Sequence, residues 1–66
     1  MEITINGQAR MVPEACTLND LLALQAVEPE HVVVEINRTI VPKETFSTLR
    51  IGPGDRVEIL SFVGGG

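Results

Sequence analysis

The sequence predicts an α+β fold, a mixed sheet of four to five strands with one main helix packed across it. Three observations carry this reading: strand-like apolar patterning at both ends of the chain, a capped segment with helical spacing after the first hairpin, and turn signals between the remaining pieces. At 66 residues there is room for one small domain and no more. Hydrophobic residues make up 44% of the chain and mean hydropathy is +0.22, which is too apolar for a disordered tail and suits a folded core.

The elements follow in order. Met1-Glu2-Ile3-Thr4-Ile5 alternates with period two, a half-buried strand with Met1, Ile3 and Ile5 inward. Asn6-Gly7 signals a two-residue hairpin, because both residues tolerate positive φ. Gln8 to Val12 is the expected return strand, ended by Pro13. Thr17 reads as a helix N-cap and Asp20 as the acid of a capping box. Leu18, Leu21, Leu22 and Ala26 then share one apolar face of a helix expected to end near Val27, before Pro29.

His31 to Ile36 is rich in β-formers, with Val32, Val34 and Ile36 on one face and Glu35 on the other. Asn37-Arg38 resembles a tight turn leading to Thr39-Ile40-Val41, with Arg38 less at ease than glycine at positive φ. Pro42 to Leu49 is expected to be a short helical or irregular crossover. Gly52-Pro53-Gly54-Asp55 fits a type II turn. Arg56 to Val63 is the last strand, with Val57 and Ile59 inward and Glu58, Leu60 and Phe62 on the opposite face. The first and last strands can pair in parallel at the sheet centre. This is the element order of the β-grasp, or ubiquitin-like, fold. Residues 1–63 form the expected domain and residues 64–66 a flexible tail.

Five Lys and Arg against nine Asp and Glu give a net charge of −4. No basic cluster is present to neutralise phosphates, so nucleic acid is not an expected partner. An acidic surface suits steering toward a basic protein partner instead. No run of about 18 apolar residues occurs, and no signal peptide or membrane span is indicated. The one cysteine, Cys16, cannot form an internal disulfide, which fits a reducing cytoplasm.

Several features were candidates for chemistry. Gly64-Gly65-Gly66 adds nothing to a core and reads either as a frayed end or as a side-chain-free tail able to thread a narrow channel. Leu60 and Phe62, just before it, read either as a docking patch or as residues covered by the crossover. Gly52-x-Gly54 lacks the third glycine and the Lys-Ser/Thr of a phosphate loop and is a structural turn. Cys16, just before the helix, could have a lowered pKa or could be a small buried hydrophobe. His31 with Glu28 and Glu30 matches no standard ligand spacing, so no metal is expected. One histidine with no supporting cleft leaves no constellation for catalysis.

Glu35-Ile36-Asn37-x-x-Ile40-Val41-Pro42-Lys43, then Gly54-Asp55-x-Val57-Glu58-Ile59, then Phe62-Val63-Gly64-Gly65-Gly66, resembles the ThiS family of thiamine-biosynthesis sulfur carriers. The short first hairpin and the Thr17-x-x-Asp20-Leu21-Leu22 helix start fit as well, so the resemblance spans the whole chain. Arg38 stands where many members have Gly, and Phe46 where many have Trp.

The resemblance implies a protein co-substrate rather than an enzyme. A ThiF-type adenylyltransferase would activate the Gly66 carboxylate with ATP. A persulfide-type sulfur donor would then leave a thiocarboxylate there, and thiazole synthase (ThiG) would receive the sulfur. Gly66 would carry the sulfur, Gly64 and Gly65 would give access, Leu60 and Phe62 would dock the partners, and no cofactor would be permanently bound. Two other readings stay open: the small sulfur-carrier subunit of molybdopterin synthase, and a β-grasp interaction module that carries nothing.

Overall fold

The first hairpin forms where the residue pattern places it. Strands β1 (Glu2–Ile5) and β2 (Gln8–Met11) pair antiparallel, Glu2 opposite Met11 and Ile5 opposite Gln8. They are joined by Asn6 and Gly7 at φ 50° and 82°, the left-handed pair that a type I′ turn requires. The structure is a computed structural model that describes residues 1–62; the expected tail at Gly64–Gly66, and the end of the last strand at Val63, lie outside the described residues.

The helix α1 (Leu18–Leu24) starts with the expected capping box. The Asp20 N–H donates to Thr17 Oγ1 and the Thr17 N–H donates to Asp20 Oδ2, each at 3.1 Å. Two further first-turn N–H groups, which a helix cannot satisfy internally, find carbonyls on the crossover: Leu18 donates to Leu49 and Asn19 to Phe46. Leu18, Leu21 and Leu22 are fully buried.

The helix ends earlier than its spacing predicts, and Ala26 is exposed rather than on the apolar face. The cause is a Schellman cap. Ala26 sits in the left-handed region at φ 59°, its N–H donates to Ala23, and the Val27 N–H reaches back to Leu22. Val27 then packs partly buried against the core.

A 3-10 turn at Pro29–His31 leads into β3 (Val32–Ile36), so His31 lies just outside the strand. Asn37 and Arg38, at φ 52° and 70°, turn the chain into the short β4 (Thr39–Ile40). The crossover contains a second 3-10 turn, Lys43–Thr45, with Pro42 as its N-cap. Gly54, at φ 79°, completes the turn before β5 (Arg56–Ser61). Asp55, just before the strand, accepts from the Gly52 N–H through Oδ2 at 2.8 Å and from Asn37 Nδ2 through Oδ1 at 3.1 Å.

The five strands form one sheet in the order β2-β1-β5-β3-β4. β5 is central, parallel to β1 and antiparallel to β3. Its inward residue Val57 joins Ile3, Ile5, Val32 and Val34 beneath the three helix leucines, and Phe46, Ile51, Val12 and Cys16 close the sides of this core. No described helix is long and apolar enough to cross a membrane.

Candidate functional site

The candidate site is the end of β5 and the sheet face around it. Alternation along a central strand buries Val57 and half-buries Ile59, and so turns Glu58 and Leu60 outward. Leu60 is 61% exposed and Phe62 48% exposed. Leu60 is therefore open, while Phe62 is about half covered, with the crossover's Lys43 over its ring.

Two interactions hold Phe62 where β5 ends. Its N–H donates to the His31 carbonyl at 2.9 Å, continuing the ladder one step beyond the strand. The Lys43 ammonium lies 5.8 Å from the centroid of its ring, within cation–π range, and also donates to the Glu30 carbonyl at 3.1 Å. Phe62 is thus fixed between the 3-10 turn before β3 and the crossover, immediately ahead of Val63-Gly64-Gly65-Gly66.

The register brings further residues to this face. Val33 lies opposite Leu60, Glu35 opposite Glu58, and Ile40 opposite Glu35. Directly opposed residues of an antiparallel pair share a face, so Leu60, Val33 and Ile40 form an apolar arc beside two carboxylates. Val33 and Ile40 were not among the sequence-derived candidates. The run Val32-Val33-Val34 carried the signal, since the middle residue of three in a strand must face away from its neighbours. Asn6 was read as a turn residue alone, yet its side chain also grips β5. Its Oδ1 accepts from the Ile59 N–H at 2.8 Å and its Nδ2 donates to the Ile59 carbonyl at 3.3 Å.

Of the remaining candidates, Cys16 lies in the core and His31 meets the site only through its backbone carbonyl. Cys16 is 3% exposed, and burial, with the Asp20 carboxylate adding to it, pushes its thiol up from the ordinary value. The lowered pKa entertained for a cysteine before a helix is therefore not found: the thiol faces the core, and its proton is directed at the Thr17 carbonyl at 3.4 Å. His31 is exposed in the 3-10 turn. Among the described residues no group of three or more His, Cys, Asp or Glu side chains could hold a metal ion.

Sheet order, a single capped helix across one face and a central last strand leading to a run of glycines define a small β-grasp protein. The family model described as the ThiS family matches residues 2–66. The sulfur carrier protein ThiS of Bacillus subtilis is 35% identical over 65 residues, covering 97% of this chain and 98% of that one. The crystal structure of a thiamine biosynthesis protein (ThiS) from Geobacter metallireducens superposes with a TM-score of 0.83 at 38% identity, covering all of both chains. A thiazole synthase of Paramagnetospirillum magneticum is 38% identical over 66 residues, and there the chain spans only 20% of the relative's length. The chain belongs to the ThiS family.

Proposed function

We propose that this protein is a sulfur carrier in thiamine biosynthesis, acting through the carboxylate of Gly66. A carboxylate is a poor electrophile, and joining it to AMP supplies a leaving group. A ThiF-type adenylyltransferase performs that step with ATP and releases pyrophosphate. The terminal sulfur of a persulfide donor displaces AMP, and a thiol cleaves the resulting acyl persulfide, leaving a thiocarboxylate on Gly66. Thiazole synthase then takes the sulfur. Gly65 and Gly64 give the chain end access to both active sites, because glycine adds no side chain to a narrow channel. The folded domain supplies the grip, so that binding energy away from the reacting atoms positions the sulfur. A reducing cytoplasm suits both a thiocarboxylate and the free thiol of Cys16.

One observation carries this reading: exposed Leu60 and anchored Phe62 lead directly into Val-Gly-Gly-Gly, in a chain matched to the ThiS family through residue 66. The partner thiazole synthase is supported by relatives of that name that contain a stretch matching the whole of this chain.

The test is intact-mass spectrometry after incubation with the adenylyltransferase, ATP and a persulfide source. The expected product has one terminal oxygen replaced by sulfur. An unchanged mass with an enzyme proven active on another carrier rejects the proposal. Deleting Gly66, or adding one residue after it, is expected to abolish the exchange while leaving the fold intact.

A further inference from the structure

Phe62 is tied down twice by one turn. Its N–H donates to the His31 carbonyl at 2.9 Å, and the Lys43 ammonium lies 5.8 Å from its ring centroid. The same ammonium donates at 3.1 Å to the carbonyl of Glu30, the residue before His31. Two consecutive carbonyls of one 3-10 turn therefore hold Phe62, one directly and one through Lys43. The circuit closes on itself: Phe62 backbone, His31, Glu30, Lys43 and the Phe62 ring. Prolines stiffen both supports, Pro29 opening the turn that presents the carbonyls and Pro42, at φ −63°, standing just before Lys43. Lys43 is itself exposed, so a place in the core does not account for the arrangement.

The end of β5 needs such a tie. The β1 ladder along β5 stops at Val57, and only β3 pairs with it as far as Ser61. Phe62 is also the last residue before Val63-Gly64-Gly65-Gly66. Four residues span at most about 14 Å, so where Phe62 stands limits where Gly66 can be delivered. A released Phe62 would let the strand end leave the sheet in several directions, few of which aim Gly66 along a partner's channel.

We propose that Lys43 is a positioning residue for the loading of Gly66: acting through Phe62, it fixes the line along which the chain end enters the adenylyltransferase. This deepens the carrier reading and rests on it. Alignment of a reactant that is already bound acts on the rate of the step. Loss of the ammonium therefore leaves docking in place and reduces the share of docked molecules whose Gly66 carboxylate reaches ATP. The strength of one exposed cation–π contact corresponds to a factor of about two to five in that share.

The experiment compares wild type, Lys43→Met, Lys43→Arg, Phe62→Ala and the Lys43→Met/Phe62→Ala double variant. Titration without ATP gives Kd for the adenylyltransferase. Single turnovers at saturating enzyme give the rate of pyrophosphate release, and NMR gives hydrogen exchange at the Phe62 amide of the free protein. Lys43→Met is expected to lower the saturated rate about two- to fivefold, to leave Kd within about twofold, and to speed exchange at Phe62. Lys43→Arg is expected to restore all three, because a guanidinium stacks on an aromatic ring and still donates to a carbonyl. In the Phe62→Ala background Lys43→Met is expected to change the rate no further, since the two residues act as one unit. An unchanged saturated rate for Lys43→Met overturns the proposal, and so does an effect confined to Kd. A fall of equal size without the Phe62 ring, or one that arginine does not repair, overturns it as well. If wild type is loaded and Lys43→Met matches its rate, the positioning role is lost and the carrier function stands. If an enzyme proven active on another carrier does not load the wild type, the carrier function fails and the positioning role falls with it.

Discussion

The side-chain amide of Asn6 brackets the backbone of Ile59, accepting from its N–H at 2.8 Å and donating to its carbonyl at 3.3 Å. The β1–β5 ladder pairs Thr4 with Arg56 and Ile5 with Val57. Asn6 extends that grip along β5 after its own backbone has turned away into the hairpin. One residue thereby serves two demands: positive φ at the turn and a strand-like contact to the element that carries Leu60.

Replacing Asn6 by glycine separates those demands. Glycine keeps the turn conformation and loses both side-chain hydrogen bonds. The expected loss is about 1 kcal/mol, at the lower end for two hydrogen bonds because the site is exposed. Faster amide exchange at Ile59 and Leu60 is expected with it, and denaturant unfolding and hydrogen exchange by NMR measure both. An unchanged exchange rate at Ile59 means the bracket holds nothing.

Ala26 occupies the left-handed position of a Schellman cap, where its Cβ is a liability of about 1 kcal/mol. Ala26→Gly is expected to stabilise the protein by less than that, about 0.5 kcal/mol at most, because the extra freedom glycine gives the unfolded chain offsets part of the strain removed. Arg38→Gly, at φ 70° in the β3–β4 turn, is expected to act in the same direction. Urea midpoints read both, and a lower midpoint for Ala26→Gly contradicts the strain.

Cys16 gives a pH dependence with a definite sign. Its thiol is pushed above the ordinary value of 9.0, first by burial and then by Asp20. The native state therefore keeps a proton that the unfolded chain releases as pH rises through that value. This group's contribution to stability is fully present below about pH 9 and declines as pH climbs toward the raised native pKa. Cys16→Ala is expected to lower the urea midpoint at neutral pH, through lost packing, and to lack this alkaline decline. A midpoint difference that stays constant from neutral to alkaline pH refutes the assignment. Iodoacetamide is likewise expected to leave native Cys16 unmodified at neutral pH and to label it in denaturant.

These cases mark where the residue pattern was legible and where it was not. The Asn6-Gly7 hairpin, the Thr17/Asp20 capping box and the Gly52–Asp55 turn depend on residues within four positions of one another, and local chemistry was enough to place them. The inward set Ile3, Ile5, Val34 and Val57 followed from alternation alone, as did the outward placing of Leu60. Three things could not be read, the last two because they depend on distant partners. The helix stopped short because Ala26 accepted a conformation usually left to glycine, so no breaker marked the end. The hold on Phe62 comes from His31 and Lys43, each brought there by other elements. The meeting of Glu35 with Glu58 is set by register between strands far apart in the chain, and single-strand alternation says nothing about register.

Phe62 offers the sharpest separation of structural from functional roles. It is half exposed and is held by one backbone hydrogen bond and one cation–π contact. Phe62→Ala keeps the backbone bond to His31. It removes the ring and the Lys43 contact, which is worth about 0.5–1 kcal/mol at an exposed site. The expected destabilisation is therefore about 1 kcal/mol, well below the 3–5 kcal/mol typical of emptying a buried phenylalanine site. Affinity for the adenylyltransferase or the thiazole synthase is expected to fall further, about tenfold or more, because an exposed aromatic beside the glycines is well placed to be buried by a partner. Lys43→Met calibrates the experiment by removing the ammonium while leaving the ring available, and should change stability slightly and binding less than Phe62→Ala does. Calorimetric titration and thermal unfolding of the same samples give both quantities. If Phe62→Ala lowers the unfolding midpoint while both partners bind as tightly as before, the ring supports the strand end and does not dock.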